Sequence, residues 1–146
     1  MRNPLIAGLL ALPLLGLSLS AMAADPALGR WKTLDDKTGK AMTVSEVYMA
    51  KNGMLSARIV ENLGLPPNCT ECSGEYKDKP YVGIVTLWNL KQQKDGSWGG
   101  GNGYKPSEDR HFKAKSVKVV DGGKKMEITG CIAAFLCRTA TWVRAD

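Results

Sequence analysis

From about residue 28 onward, apolar and polar residues alternate in short runs, and no long segment has a helical period. Turn residues rich in Gly, Asn and Asp separate these runs, and Asn52-Gly53 is the clearest hairpin signal. The pattern predicts an all-β chain with one long loop at residues 64–80. Its eight predicted strands cover residues 30–34, 42–49, 54–63, 81–90, 97–105, 110–120, 124–132 and 138–144.

The order of these strands predicts an eight-stranded antiparallel up-and-down β-barrel, because most connections are short and closure removes exposed sheet edges. A sandwich of two sheets is the alternative. In such a barrel the first strand starts at the end where the eighth finishes, so Trp31 and Arg144 share one end, here called the bottom. The loop at 64–80 and the last hairpin turn then lie at the other end, the top.

The fifth run, "SWGGGNGYK", alternates aromatic or polar residues with glycine. Strict alternation predicts that Trp98, Gly100, Asn102 and Tyr104 share one face. The glycines permit either a bend in the barrel wall or a close approach by a ligand. Six residues are therefore candidates for a ligand cavity or its rim: Tyr76, Tyr81, Trp88, Trp98, Tyr104 and Arg138.

The N-terminus has the layout of a Sec-type export signal: a short basic start, an apolar stretch at residues 5–19, and small residues at Ala21 and Ala23. We expect cleavage near Ala23, which removes residues 1–23 and leaves one domain, 24–146, in the periplasm or secreted. The apolar stretch is too short for a membrane span, so we expect none after signal removal. Basic residues are scattered without a long run, which argues against a nucleic-acid partner. The oligomeric state stays open.

Four cysteines in an exported chain are expected to form disulfides. We favour the local pairs Cys69–Cys72 and Cys131–Cys137, with a crossed pairing or a four-cysteine zinc site as alternatives. A haem anchor would need histidine at Ser73, and a thioredoxin-like pair would need a following helix. His111 is the only histidine, so no catalytic constellation is recognisable, and we expect no enzyme, metal or cofactor.

Two short segments, "GRW" at residues 29–31 and "TWVR" at 141–144, resemble the lipocalin and wider calycin pattern. That resemblance implies that Trp31 plugs one barrel end while Arg144 stacks on its ring. "GRWKTLDDKTGKA", "KDKPYVGIVTLWNLK", "WGGGNGYKP" and "RTATWVR" together resemble the bacterial exported family catalogued as domain of unknown function 2147. It implies a lipocalin-like barrel in the envelope and no established reaction. The chain departs from the family at Lys105, where an aspartate is usual before the proline.

These observations predict a lipocalin-like protein that binds a small apolar or amphipathic ligand in the barrel, with loop 64–80 as a lid. The alternative is a structural or interaction protein of the envelope whose barrel core is filled. A thiol-disulfide or metal-dependent enzyme using Cys69 and Cys72 is a third hypothesis.

Overall fold

The computed structural model of the chain describes residue 16 and residues 23–146. Apart from positions 16 and 23, the predicted signal lies outside the described residues. The described part contains eight strands: β1 Gly29–Leu34, β2 Ala41–Met49, β3 Leu55–Asn62, β4 Val85–Gln92, β5 Trp98–Lys105, β6 Arg110–Val120, β7 Lys125–Ala133 and β8 Leu136–Arg144. Single 3₁₀ turns occur at Gly74–Tyr76, Pro106–Glu108 and Asp121–Gly123. Across this part of the chain no helix is long and apolar enough to cross a membrane.

The strands form a closed antiparallel barrel in sequence order, which confirms the predicted fold. The predicted fourth strand begins too early: residues 81–84 form a turn, and β4 starts at Val85. Gly83 takes a φ of +100°, which lies outside the range of regular β conformation. An isolated bridge from Asn68 to Pro80 ties the end of the long loop to its start instead.

The prediction that Trp98 and Tyr104 share one face is wrong. Trp98 belongs to the cluster inside the barrel, whereas Tyr104 belongs to a second cluster. Gly100 lies between them with φ +66°, and Asn89 on the neighbouring strand has φ +57°. One irregular residue within a strand exchanges the inward-facing and outward-facing positions that follow it. Gly103, which follows Gly100 in β5, therefore faces the interior and meets Phe112.

The lower half of the barrel is filled with side chains. The cluster comprises Ala27, Trp31, Val47, Leu55, Ala57, Leu87, Leu90, Trp98, Ala114, Val117, Met126 and Ile128. Above it, the ring of Phe112 lies over two glycines: a Cβ at Gly103 would come within 2.1 Å of the ring, and one at Gly130 within 2.5 Å. Glycine at these positions of β5 and β7 is therefore what lets Phe112 fill the barrel.

The bottom end is closed by the segment that precedes β1. Arg144 Cζ lies 3.9 Å from the centroid of the Trp31 ring, and its guanidinium donates to the carbonyls of Leu28 and Gly123 at 2.8 and 3.2 Å. The Trp31 indole donates to the Ala27 carbonyl at 2.9 Å. Asp25 accepts from the Trp98 indole at 3.2 Å, which ties the entering chain to β5.

The contact that closes the barrel, between β1 and β8, is confined to the bottom. Its register pairs are Trp31 with Arg144 and Lys32 with Val143. Higher up, residues 136–141 of β8 pair with β7 alone among the described residues, and all six are exposed. The upper edge of β8 is therefore a free strand edge.

Candidate functional site

Loop 64–80 packs on the β5–β6 connection and forms a second apolar cluster beside the main core. Its members are Ile59, Cys69, Cys72, Tyr81, Ile84 and Tyr104, with Leu65, Tyr76 and Trp88 packed against them. Cys69 and Cys72 form a disulfide whose sulfurs lie 3.5 and 3.8 Å from the Pro106 carbonyl oxygen. The loop expected to be a lid is thus anchored to the top of β5 and β6.

Asp109 is the polar centre of this anchorage. One of its carboxylate oxygens accepts hydrogen bonds from the Ser73 amide and hydroxyl, each at 3.1 Å, and from the Tyr104 hydroxyl at 2.7 Å. The bond from Tyr104 is the main cause that lowers the pKa of Asp109. Burial, reinforced by the bond to Asp109, raises the pKa of Tyr104 to about 12. Both groups therefore keep their ordinary protonation states across the neutral range.

A row of aromatic rings continues from Tyr104 along the outer wall. Tyr76 stacks on Tyr104 with a centroid distance of 5.9 Å, and His111 stacks on Tyr104 with a centroid distance of 4.5 Å. Trp88 meets His111 edge-on at 6.3 Å. His111 is exposed near the start of β6. Tyr104 and His111 are register partners on either side of the β5–β6 connection. This pairing could have been predicted from the short connection between the two strands, and it would have placed His111 among the aromatic rings.

Next to the aromatic row lies a groove of about 220 Å³. Its lining is Trp88, Asn102, Gly103, His111, Phe112, Lys113, Cys131 and Ile132. The Lys113 ammonium donates to the Asn102 side chain at 2.9 Å. Ligand pockets usually enclose roughly 300–1,000 Å³, so this groove suits one side chain or a similarly small group. A broader depression of about 610 Å³ lies at the bottom rim beside Arg30 and Asp146.

The structure distributes the six candidate rim residues over three places. Tyr76, Tyr81, Trp88 and Tyr104 come together around the second cluster. Trp98 is buried in the core of the lower barrel, apart from the other aromatic candidates. Arg138 is exposed on β8 opposite Gly130, beside the free strand edge at the top.

Both local disulfides are present, as favoured from the sequence. Cys131 and Cys137 are direct register partners on β7 and β8, with Cα atoms 4.0 Å apart. Because all four cysteines are bonded, they leave no thiolate for zinc. Cys69 and Cys72 are almost fully buried, whereas reactive cysteines are partly accessible.

Lys105, at the position where the resemblance implied an aspartate, forms ion pairs with Asp36 at 2.8 Å and Glu108 at 2.7 Å. These pairs connect the β1–β2 turn to the β5–β6 connection. The neighbouring Asp35 accepts from the amides of Lys37 and Thr38, as a turn residue does. The carboxylates of Asp36 and Glu108 therefore meet across the Lys105 ammonium as parts of one ion-pair network.

Comparisons with known proteins identify the family. A solved structure described as "Protein HP1028 from the human pathogen Helicobacter pylori belongs to the lipocalin family" superposes with a TM-score of 0.67 and 20% identity, over 82% of this chain and 83% of that one. At this identity the likeness shows the fold alone. Comparison with curated proteins finds no significant match. The sequence profile described as "Uncharacterized protein conserved in bacteria (DUF2147)" matches residues 29–144. Since this match spans most of the chain, the protein belongs to the DUF2147 family and has its lipocalin-like barrel.

Proposed function

We propose that this protein is a non-enzymatic interaction protein of the bacterial envelope, with a filled barrel core and contacts made by its outer surface. The observation that carries the proposal is the packing of the interior. Two disulfides fit an extracellular or periplasmic protein, in agreement with the expected export.

The interior leaves little room for an apolar ligand. Trp31, Leu55 and Met126 are fully buried in the lower half, and Phe112 occupies the space above them between β5 and β7. Eight-stranded barrels are at the size where side chains alone can fill the interior. Two concavities of the described part of the chain, at the bottom rim and on the outer wall, open at the surface. Recognition through the outer surface follows most directly from this arrangement.

Binding of an apolar probe tests the filled core. We expect that protein purified from the envelope has the mass of the polypeptide alone under native conditions, and that a fluorescent fatty acid does not bind. Phe112→Ala is the matched variant, because it removes the ring over Gly103 and Gly130 and should create probe binding. A stoichiometric apolar ligand on the wild-type protein would contradict the proposal.

One observation favours ligand binding inside the barrel, at the level of Trp31, as a second candidate function. The Ser45 hydroxyl is fully buried and has no hydrogen-bond partner among the described residues. A buried polar group left unpaired costs about 1–3 kcal/mol, so such groups commonly face a polar atom of a water or a ligand.

Ser45→Ala distinguishes the two functions. With a filled core, the variant loses an unpaired hydroxyl and should be slightly more stable, by up to about 1 kcal/mol in urea unfolding. Ser45→Cys is the control, because it keeps the approximate volume. A loss of stability in Ser45→Ala, together with release of a small molecule on denaturation, would instead favour the ligand-binding function.

A further inference from the structure

The most exposed apolar surface of the described chain lies at the tip of the β7–β8 hairpin. We call Ile132, Phe135 and Leu136 the apolar tip; their exposed fractions are 51%, 99% and 61%. With Ala133 and Ala134 they form five consecutive apolar residues, all exposed. The two-residue turn is Ala134-Phe135, where Asn, Asp or Gly is usual. A run of this kind on a surface is unfavourable for a soluble protein unless it has a function.

The hairpin that carries the apolar tip is held rigid. The Cys131–Cys137 disulfide joins the two strands directly below the tip. The hydroxyls of Thr129 and Thr139 form a further cross-strand bond of 2.8 Å. The apolar residues are thus presented on a fixed support, so that little conformational entropy is lost when they are buried by a partner.

The surroundings of the apolar tip are basic. Arg138 is exposed two residues beyond Leu136, and Lys113 is exposed as the register partner of Cys131. No acidic residue occurs between positions 128 and 145 or within β6. The acidic residues of the β5–β6 connection, at the same end of the barrel, are engaged: Glu108 pairs with Lys105, and Asp109 accepts from Tyr104 and Ser73.

We infer that the apolar tip docks the protein onto an anionic lipid bilayer, with Phe135 and Leu136 entering the interface and Arg138 and Lys113 contacting lipid headgroups. This inference rests on the proposed function, in which the outer surface makes the contacts. Exposed apolar side chains flanked by cations are the combination that binds the interface of an anionic membrane. A second copy of the chain fits less well, because a symmetric contact between two tips would bring Arg138 and Lys113 against like charges.

Vesicle sedimentation tests the inference with the purified, disulfide-bonded protein. We expect binding to vesicles of equal parts phosphatidylglycerol and phosphatidylcholine, weaker binding at high salt, and little binding to phosphatidylcholine alone. Phe135→Ser/Leu136→Ser should reduce binding at least about tenfold, and Arg138→Gln about fivefold. Met49→Ser/Val82→Ser is the matched control, because it removes two exposed apolar residues elsewhere and should bind as the wild type does.

The outcomes separate this inference from the proposed function. Equal binding by the wild type and Phe135→Ser/Leu136→Ser, or absence of binding to anionic vesicles, overturns docking by the apolar tip. A dimer in sedimentation velocity that the same variant abolishes would assign the apolar tip to self-association and also overturns it. Native mass spectrometry of the same sample tests the filled core by itself: a bound apolar ligand would overturn the proposed function and leave the vesicle result standing.

Discussion

The bottom and the top of the barrel are built in opposite ways. At the bottom, Trp31 is fully buried, Arg144 covers its ring, and the segment from Asp25 hydrogen-bonds to both this end and β5. At the top, the edge of β8 is free and its hairpin ends in the exposed Phe135. The same sheet thus combines an end that stabilises the fold with an end that is available for contacts. Under the proposed function, stability and recognition are therefore separated along the barrel axis.

Truncation of Trp31, at the bottom of the barrel, should cause the largest loss in the free energy of unfolding. Trp31→Ala leaves a cavity in the lower core and removes the surface on which Arg144 stacks, so we expect a loss of about 3–5 kcal/mol in the free energy of unfolding. Trp88→Ala, a half-buried tryptophan on the outer wall, should lose about 1 kcal/mol. Urea unfolding measures both. Equal losses would show that the bottom is not the main source of stability.

The two disulfides should differ in their contribution, although both close short loops. Loop entropy alone gives about 2 kcal/mol for each. Cys131→Ala/Cys137→Ala should lose about that amount, because Cys137 is exposed. Cys69→Ala/Cys72→Ala should lose about 3–4 kcal/mol, because it also removes buried sulfur from the second cluster. If the Cys131–Cys137 pair proves the more important, the second cluster contributes less to stability than its packing indicates.

The glycines beneath Phe112 should be sensitive to a single methyl group. Gly103→Ala places a Cβ within 2.1 Å of the Phe112 ring, and the displaced ring should cost about 1–3 kcal/mol. In the double variant Gly103→Ala/Phe112→Ala the added cost of the methyl group should largely disappear. A thermodynamic cycle from four urea curves measures this coupling. Independent, additive effects would mean that the ring does not fill the upper barrel.

The hydrogen bonds of Asp109 that anchor loop 64–80 should make the smallest contribution to the free energy of unfolding, and this contribution should depend on pH. Asp109 has a lowered pKa in the folded protein, so its contribution is complete above its ordinary value of 3.8 and is lost as the pH falls through the folded-state value. Tyr104 has a pKa raised to about 12, so its contribution is complete below 10.0 and is lost as the pH rises from there. Urea midpoints measured across the acid and alkaline ranges should show both limbs.

Tyr104→Phe is the variant for this pH dependence. The variant removes the loss of stability at alkaline pH that is due to Tyr104. It also reduces the loss of stability at acid pH, because the hydrogen bond to Asp109 is absent. Part of the acid limb should stay, because Asp35, Asp95 and Glu108 also have lowered pKa values. An unchanged profile in Tyr104→Phe would remove Asp109 from the anchorage of the loop.

Most residues of the candidate site could be predicted from the sequence, but their arrangement in space could not. The aromatic residues Tyr76, Tyr81, Trp88 and Tyr104 were selected as a group and do come together. Trp98 was selected with them on strict alternation, and the irregular backbone at Gly100 and Asn89 places it in the lower core instead. A left-handed residue within a strand reverses every later side chain, and glycine composition alone does not say where this happens.

The sequence by itself determined the number and order of the strands and the end shared by Trp31 and Arg144. It also favoured the antiparallel barrel and the local disulfides over their alternatives. Each follows from alternation, turn residues or spacing, which are properties of neighbouring positions in the chain. Only the tertiary structure decided that Phe112 fills the upper interior and that loop 64–80 packs on the β5–β6 connection. It also decided that β8 keeps a free edge beside Phe135. These features depend on contacts between residues far apart in sequence, where packing volume and not local pattern selects the partner.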